Sequence, residues 1–293
     1  MHPQSGDVII IEPGPNELTD SFKLSDREFS LFSRLVYEKA GINLHEGKKE
    51  LVRSRLSRRL RAKKMTRFKD YYNFLMDDES GEELVHMLDA ISTNLTRFFR
   101  EPKHFAFLEK TALPAVINDH KSRKRPVNIW SAGCSSGEEP YTLSICLHEF
   151  GETQTEFRFR VLATDISTRM LATATNGVYH ASQVQTISPD VLRKYFQRGQ
   201  GRWAGHYRLK PMVRNTIEFK RLNLMEPFSF STKFQIVFCR NVMIYFDKQT
   251  QSKLVNKFYD ALEPGGFLFI GHSESLMGTE HRFKYVQPTI YQK

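Results

Sequence analysis

Residues 127–137 read Val127-Asn128-Ile129-Trp130-Ser131-Ala132-Gly133-Cys134-Ser135-Ser136-Gly137, and Glu138-Glu139-Pro140 lead from there into an apolar run that begins at Tyr141. Val127 to Trp130 is a β-type run, Gly133 to Gly137 is a glycine and serine loop, and Tyr141 to Phe150 has helical spacing. Strand, glycine loop and helix in that order open a unit that binds ligands at the carboxyl end of a strand. Phe159 to Ala163 gives a second strand ending at Asp165, with a helix from about Ser167 to Thr175 behind it. Further on, Phe234 to Cys239 reads as a strand, Lys248 to Leu262 as a helix, Pro264-Gly265-Gly266 as a turn and Phe267 to Ile270 as another strand. Strands that alternate with helices predict an α/β fold with a doubly wound, largely parallel sheet.

The loop itself fits more than one template. As G-x-S-x-G it matches a nucleophile elbow with Ser135 attacking, and Asp165 and His272 follow in the chain order hydrolases use. As a glycine loop after a first strand, with an acid closing the second, it matches a nucleoside-cofactor site in which Asp165 accepts from ribose hydroxyls. Position favours the cofactor reading, because an elbow lies deep in a sheet and only helices precede Val127. Glycines of purely structural use are the third reading. Two other segments place polar side chains among apolar ones. Asn94-Leu95-Thr96-Arg97-Phe98-Phe99-Arg100 reads either as a capped helix end with its Phe residues in the core or as part of a site. Cys239-Arg240-Asn241-Val242-Met243-Ile244-Tyr245-Phe246 leaves a buried-type strand at the end where open α/β sheets bind ligands.

Outside this frame, residues 1–20 are rich in Pro, Gly and Asp and are expected to be a mobile tail. Residues 21–91 read as an all-helical domain. It opens with Ser25 as N-cap ahead of Glu28, carries Phe29, Phe32, Leu35 and Val36 on one face, and closes its first helix at Gly41. Residues 92–124 are expected to be a linker helix region, and 125–293 the α/β domain. Between Val178 and Leu222 the alternation breaks down, so 178–222 is expected to be an inserted β-subdomain with hairpin character.

The formal net charge of the 293 residues is +10, and its location is informative. Lys48 to Lys69 holds eleven Lys or Arg and one acid, Glu50, while the remainder is balanced. Val52, Leu56 and Leu60 recur every fourth position, and Arg53, Arg55, Arg58, Arg59 and Arg61 fan around the other faces, which predicts a basic amphipathic helix. Such a face is either merely solvated or made for a polyanion. No zinc-finger spacing or RNA-recognition signature accompanies it, and the D/N-P-P-Y/F and Pro-Cys motifs of nucleic-acid methylating enzymes are absent, so nucleic acid is not the expected partner. Three cysteines without a CxxC pair, and no apolar run of membrane length, point to a reduced, cytoplasmic setting without membrane insertion. There is no P-loop and no H-E-x-x-H spacing, and no metal is expected.

Taken together, the chain resembles the chemotaxis receptor methyltransferases of bacteria, the CheR family. The resemblance is carried by Thr93 to Glu101, by Trp130 to Tyr141, by Ala163-Thr164-Asp165-Ile166, by Asn223-Leu224, by Cys239 to Asp247 and by Gly271-His272-Ser273-Glu274-Ser275. It implies a Rossmann-like domain that binds S-adenosylmethionine and transfers its methyl group to receptor glutamates, leaving S-adenosylhomocysteine. It also implies that Asn94, Thr96, Arg100, Glu139, Asp165, Asn223, Leu224, Arg240 and Asn241 surround the cofactor. Thr96, Arg100 and Glu139 would lie at its methionine end, Asn223 and Leu224 by the adenine, and Asp165 at the ribose. Tyr245 would face the substrate.

A glutamate has a pKa near about 4.3 and is ionised at pH 7, so the reaction needs no general base. Arg100 is then expected to hold the acceptor carboxylate and Tyr245 to orient it, these two being the catalytic candidates. Arg53, Arg55, Arg58 and Arg59 are expected to dock the acidic helical bundle of a methyl-accepting chemoreceptor. In some members of the family the β-subdomain also holds a pentapeptide at the receptor's C-terminal tail, and Gly199, Gly201 and Gly205 resemble the loop of those members.

Overall fold

The computed structural model describes residues 22–120 and 125–293; the expected mobile tail, and residues 121–124 of the linker region, lie outside the described residues. The chain divides into two compact units, one of residues up to Leu35 with Leu44–Ile91, the other of Val36–Asn43 with Ser92–Lys293.

The first unit is helical, with α1 (Asp26–Ala40, its last turn counted with the second unit), α2 (Lys49–Ala62), α3 (Phe68–Asp77) and α4 (Glu82–Ile91). Ser25 caps α1 as a capping box: its hydroxyl accepts from Glu28 N at 3.3 Å while Glu28 accepts from Ser25 N at 2.9 Å. Gly41 ends the helix with φ +70°. Phe29, Phe32, Val52, Leu56, Leu60, Phe68, Tyr71 and Met87 are buried, so the four-residue periodicity of α2 does face a core.

In the second unit, α5 (Pro102–Phe107), a turn of π-helix at Leu108–Ala112 and α6 (Leu113–His120) run on from one another. They are part of the core rather than a bare linker: Phe105, Leu108, Leu113 and Val116 cluster with Ile129, Val161, Ile236 and Phe269 of the sheet. Then come β1 (Val127–Ala132), α7 (Glu138–Glu152), β2 (Phe159–Asp165), α8 (Thr168–Asn176), β3 (Val178–His180), α9 (Ala181–Val184), α10 (Pro189–Tyr195), β4 (Phe196–Arg198), β5 (His206–Leu209), α11 (Pro211–Arg214), β6 (Ile217–Arg221), β7 (Phe234–Cys239), α12 (Lys248–Ala261), β8 (Leu262–Ile270), β9 (Lys284–Gln287) and β10 (Ile290–Gln292).

The main sheet has the order β6-β2-β1-β7-β8-β10-β9. Strands β6, β2, β1, β7 and β8 are parallel, and β10 and β9 close the far edge antiparallel. The fold is therefore an all-helical unit followed by a doubly wound α/β unit with a mixed sheet. Every residue of β7 is buried, as expected for a central parallel strand covered on both faces. The chain leaves β1 toward β2 on one side and later returns to β7 on the other, so the switch point of the sheet lies at the carboxyl end of β1.

Three sequence expectations need correction. Strand β6, placed by the sequence within the 178–222 insertion, pairs in parallel with β2 as part of the main sheet. The separate sheet is smaller, in the order β3-β5-β4. The expected turn at Pro264-Gly265-Gly266 lies inside β8; Gly265 takes φ +79° and the β7–β8 register shifts nearby, so the glycines make an irregularity in a strand rather than an end. Strands β9 and β10 were not foreseen, because each is three or four residues long. Among the described residues no helix is long and apolar enough to cross a membrane.

Candidate functional site

The carboxyl ends of β1, β2, β7 and β8 converge with the segment 93–101. After β1 the chain turns at Gly133, whose φ of +81° and proximity to the Val242 side chain leave no room for a Cβ. Ser135 follows with φ +49°, donating N–H to Asp165 Oδ2 at 2.7 Å and its hydroxyl to the Asn94 carbonyl at 3.0 Å. Asp165, buried at the end of β2, also accepts from Ser167 N at 2.9 Å. One carboxylate thus fixes both the glycine loop and the entry to α8. Four non-glycine residues in this region, Phe99, Glu101, Ser135 and Asn241, have positive φ. Such backbone costs about 1–3 kcal/mol per residue and is concentrated where a fold serves a site.

The charged centre of the site is Arg240, just past β7, with its side chain only 2% exposed. It donates to Glu101 Oε2 from Nε (3.2 Å) and Nη2 (2.9 Å), to Glu139 Oε2 from Nη1 (3.1 Å), and to the Arg100 carbonyl. Glu139 Oε1 accepts from Ser131 Oγ at 2.7 Å. Two carboxylates share one guanidinium, and they respond differently. Burial is the largest influence on Glu101 and raises its pKa, but the charge and hydrogen bonds of Arg240 outweigh it and hold the group below the ordinary carboxylate range. Burial wins at Glu139 and pushes its pKa up.

His104 lies beside this centre. Thr289 Oγ1 donates to the Pro288 carbonyl at 2.6 Å, so at 2.7 Å from His104 Nε2 it accepts from the ring. The lone pair of Nδ1 therefore faces Glu101 Oε2 at 3.4 Å with no hydrogen bond. Among the described residues, Glu101, His104 and His272 are the group whose ligand atoms gather as a metal would need, within 4.8 Å. Glu101 Oε2 already takes two N–H bonds from Arg240, and that guanidinium repels a divalent ion, so the chemistry of the cluster is that of an ion-pair centre.

The residues singled out by sequence are distributed as follows. Two groups form: Ser135 joins Asn94 to Asp165, and Arg240 joins Glu139, the Arg100 carbonyl and Glu101, with Asn241 Nδ2 3.5 Å from Glu101 Oε1. Arg100 donates to the Leu95 carbonyl at 2.9 Å. Thr96, half-buried, has no hydrogen-bond partner among the described residues. The Tyr245 hydroxyl lies 3.4 Å from the Thr93 carbonyl. Asn223 is tied elsewhere, donating to the Lys39 carbonyl at 2.6 Å and to Glu226 at 3.1 Å; Leu224 belongs to the core cluster of Trp130 and Leu254. Asn94 and Thr96 do not cap a helix, while Phe98 is fully buried against Tyr179.

The hydrolase reading loses its geometry. Ser135 Oγ bonds a backbone carbonyl, Asp165 receives backbone N–H groups, and His272 stands against Glu101 and His104. Sequence reasoning missed the roles of Glu101, His104 and Glu274, all of which lie in or beside the motifs it quoted.

The expected docking arginines of α2 are not equivalent. Arg59 makes two bonds to Glu83, at 2.9 and 2.7 Å, and Lys63 and Tyr71 reach the same carboxylate, which is 1% exposed. Arg55 donates to the Ile91 carbonyl and Arg53 to Glu50 at 2.8 Å. Arg58 is exposed, with no partner among the described residues.

A nucleoside cofactor with an amino-acid tail offers hydroxyls, an ammonium, a carboxylate and ring nitrogens. The residues gathered here match that mixture with the carboxylates of Asp165 and Glu139, the guanidinium of Arg100 and the amide of Asn94. The Asn94 Nδ2 is buried and has no hydrogen-bond partner among the described residues.

The description "CheR methyltransferase, SAM binding domain" matches residues 94–292, and "CheR methyltransferase, all-alpha domain" matches residues 27–92. The chain is similar to the chemotaxis protein methyltransferase of Borreliella burgdorferi, at 40% identity over 284 residues that cover 95% of this chain and 98% of the relative. It is similar to that of Escherichia coli, at 37% over 276 residues covering 94% and 93%. Chemotaxis protein methyltransferase 2 of Pseudomonas aeruginosa is 38% identical over 281 residues, covering 95% and 97%.

Proposed function

We propose that this chain, which belongs to the CheR methyltransferase family, methylates specific glutamate side chains in the cytoplasmic helical bundle of a chemoreceptor, forming methyl esters that serve sensory adaptation. The observation that carries this reading is the orphaned, buried Asn94 amide, on a segment whose carbonyl holds Ser135 of the glycine loop at the sheet's switch point. Bound there, S-adenosylmethionine supplies a methyl group on a sulfonium, an electrophile that needs no further activation.

Asp165 holds the ribose hydroxyls while its backbone partners keep the loop in place. Glu139, fixed by Ser131 and Arg240, and Asn94, Thr96 and Asn241 line the remainder of the cofactor's bed. Asn223 and Leu224 shape the adenine end by anchoring their loop rather than through free polar groups. The acceptor glutamate arrives ionised, so the protein's task is orientation and removal of water, which supplies several kcal/mol. Arg100 spends one N–H on the Leu95 carbonyl and directs others to the acceptor carboxylate. Tyr245, held only at 3.4 Å from Thr93, turns its hydroxyl to the acceptor.

The basic face of α2 docks the acidic receptor bundle, with Arg58 the residue most at liberty to do so. The β3-β5-β4 sheet, where Arg202 lies over the exposed Trp203 ring, is the seat for a receptor tail peptide. With such partners the chain would work in the cytoplasm.

The test is methyl transfer from labelled S-adenosylmethionine to a receptor cytoplasmic fragment. The label is expected in the fragment, to be released as methanol by mild alkali, and to be lost when the acceptor glutamates are replaced by alanine. Alkali-stable label, or none, would overturn the reading.

A further inference from the structure

We propose that Glu274 is a positioning residue for methyl transfer: its carboxylate clamps the backbone of the loop that carries Asn241 and Tyr245, and so sets where the Tyr245 hydroxyl meets the acceptor. The inference rests on the reaction proposed above and adds a residue to it.

Glu274 is buried in the turn after β8. Its Oε2 accepts from Gly271 N at 2.5 Å and from Asn241 N at 2.9 Å, and its Oε1 from Ile244 N at 3.1 Å. Three backbone donors from two loops converge on one carboxylate. They are charge-assisted bonds, stronger than the loop's own amide contacts. The segment is irregular: Asn241 has φ +58°, and a short 3-10 turn, Met243–Tyr245, follows it directly. Its own backbone bonds are Tyr245 N to Val242 O at 3.2 Å and Phe246 N to Met243 O at 3.0 Å, and its carbonyls are held from outside by Asn43 N on Tyr245 O at 2.8 Å and by Gln251 Nε2 on Met243 O and Phe246 O. Glu274 supplies the complementary hold on the amides of Asn241 and Ile244. Ile244 is the residue before Tyr245, so the bond at its N–H holds the Met243–Ile244 peptide, one peptide unit ahead of the one that leads into the tyrosine.

The charge of Glu274 is not matched by a side-chain cation in any hydrogen bond or ion pair among the described residues; its hydrogen-bond partners are backbone amides. Its use is therefore geometric. Even the isosteric change to glutamine turns an –NH2 group toward at least one N–H donor, leaving donor against donor in a buried place.

The experiment is a double-mutant cycle on kcat with the receptor fragment as substrate, using Glu274→Gln, Tyr245→Phe and the pair. Glu274→Gln is expected to lower kcat about tenfold when Tyr245 is present and less than about twofold when it is Phe. Equal losses in both backgrounds, or no loss, would overturn the proposal. Hydrogen exchange on the unmutated protein gives a second reading that does not depend on the variants folding. The Asn241 and Ile244 amides are expected to be protected although Asn241 lies outside helix and strand and the Ile244 N–H takes no part in the bonds of its 3-10 turn, and exchange at open-loop rates would show that no clamp exists. Absence of transfer by the unmutated protein would instead count against the reaction, while amide protection would still decide the clamp.

Discussion

His104 donates from Nε2 to Thr289 and keeps a bare Nδ1 toward Glu101. Burial, reinforced by the Arg240 charge, pulls its pKa from 6.5 down to about 3, with Glu101 opposing and His272 adding to the fall. Between those values the unfolded chain binds a proton that the folded one refuses. Stability is therefore full above about pH 6.5 and declines as pH falls toward 3, by about 1.4 kcal/mol per pH unit from this group alone. Urea unfolding should show a loss of about 2 kcal/mol between pH 6.5 and 5, a window that lies above the ordinary carboxylate range. His104→Gln, which still offers an N–H to Thr289, should flatten that slope; an unchanged slope would mean that other groups set it. The place of Asp165 beside the glycine loop was legible because an acid closing the second strand is a local pattern. His104 and Glu101 were not, since their meaning comes from Arg240, 139 positions beyond Glu101, and no spacing rule links them.

At the scale of elements, α2 shows what periodicity reveals and what it leaves out. Val52, Leu56 and Leu60 announced the buried stripe, and all three are fully buried. The sequence grouped Arg53, Arg55, Arg58 and Arg59 by charge alone, yet Arg59 is half of a two-bond pair with a carboxylate from α4. Burial, the largest influence on Glu83, raises its pKa, but the bonds from Arg59, Tyr71 and Lys63 prevail and keep it low and ionised. Arg59→Ala should therefore destabilise the protein by about 2 kcal/mol, because it strips a buried anion of its best partner. Arg58→Ala should leave the melting temperature unchanged and raise KM for the receptor fragment. The idea fails if both variants melt alike, or if Arg58→Ala lowers kcat without affecting KM. Strand β6 illustrates the same limit from the other side: Thr216 to Arg221 reads as strand, but its pairing with β2 rather than with the neighbouring hairpin is a tertiary choice.

For the whole molecule, alternation of strands and helices was enough to predict the parallel part of the sheet, since each crossover needs a helix. The antiparallel edge escaped notice because β9 and β10 are joined by a tight turn at Pro288 and Thr289 and are too short for an apolar period to show. Charge is the other property that belongs to the whole chain. The excess of +10 is held entirely between Lys48 and Lys69. Part of it is answered by acids from outside that window: Asp26 meets Lys49 at 2.6 Å, Asp70 meets Arg67 at 2.7 Å, and Glu83 takes Arg59 and Lys63. What is left is exposed positive charge, which under the proposed docking would act on the encounter with an acidic partner and is screened over about 8–10 Å at physiological salt. The proposed site at the carboxyl ends of the strands is instead built on buried pairs, Arg240 with Glu101 and Glu139, which salt barely reaches. Raising ionic strength from about 0.05 to 0.3 M should therefore raise KM for the receptor fragment about tenfold while kcat changes less than about twofold. A fall in kcat at constant KM would mean that the basic face serves the chemical step or the fold, and not the capture of substrate.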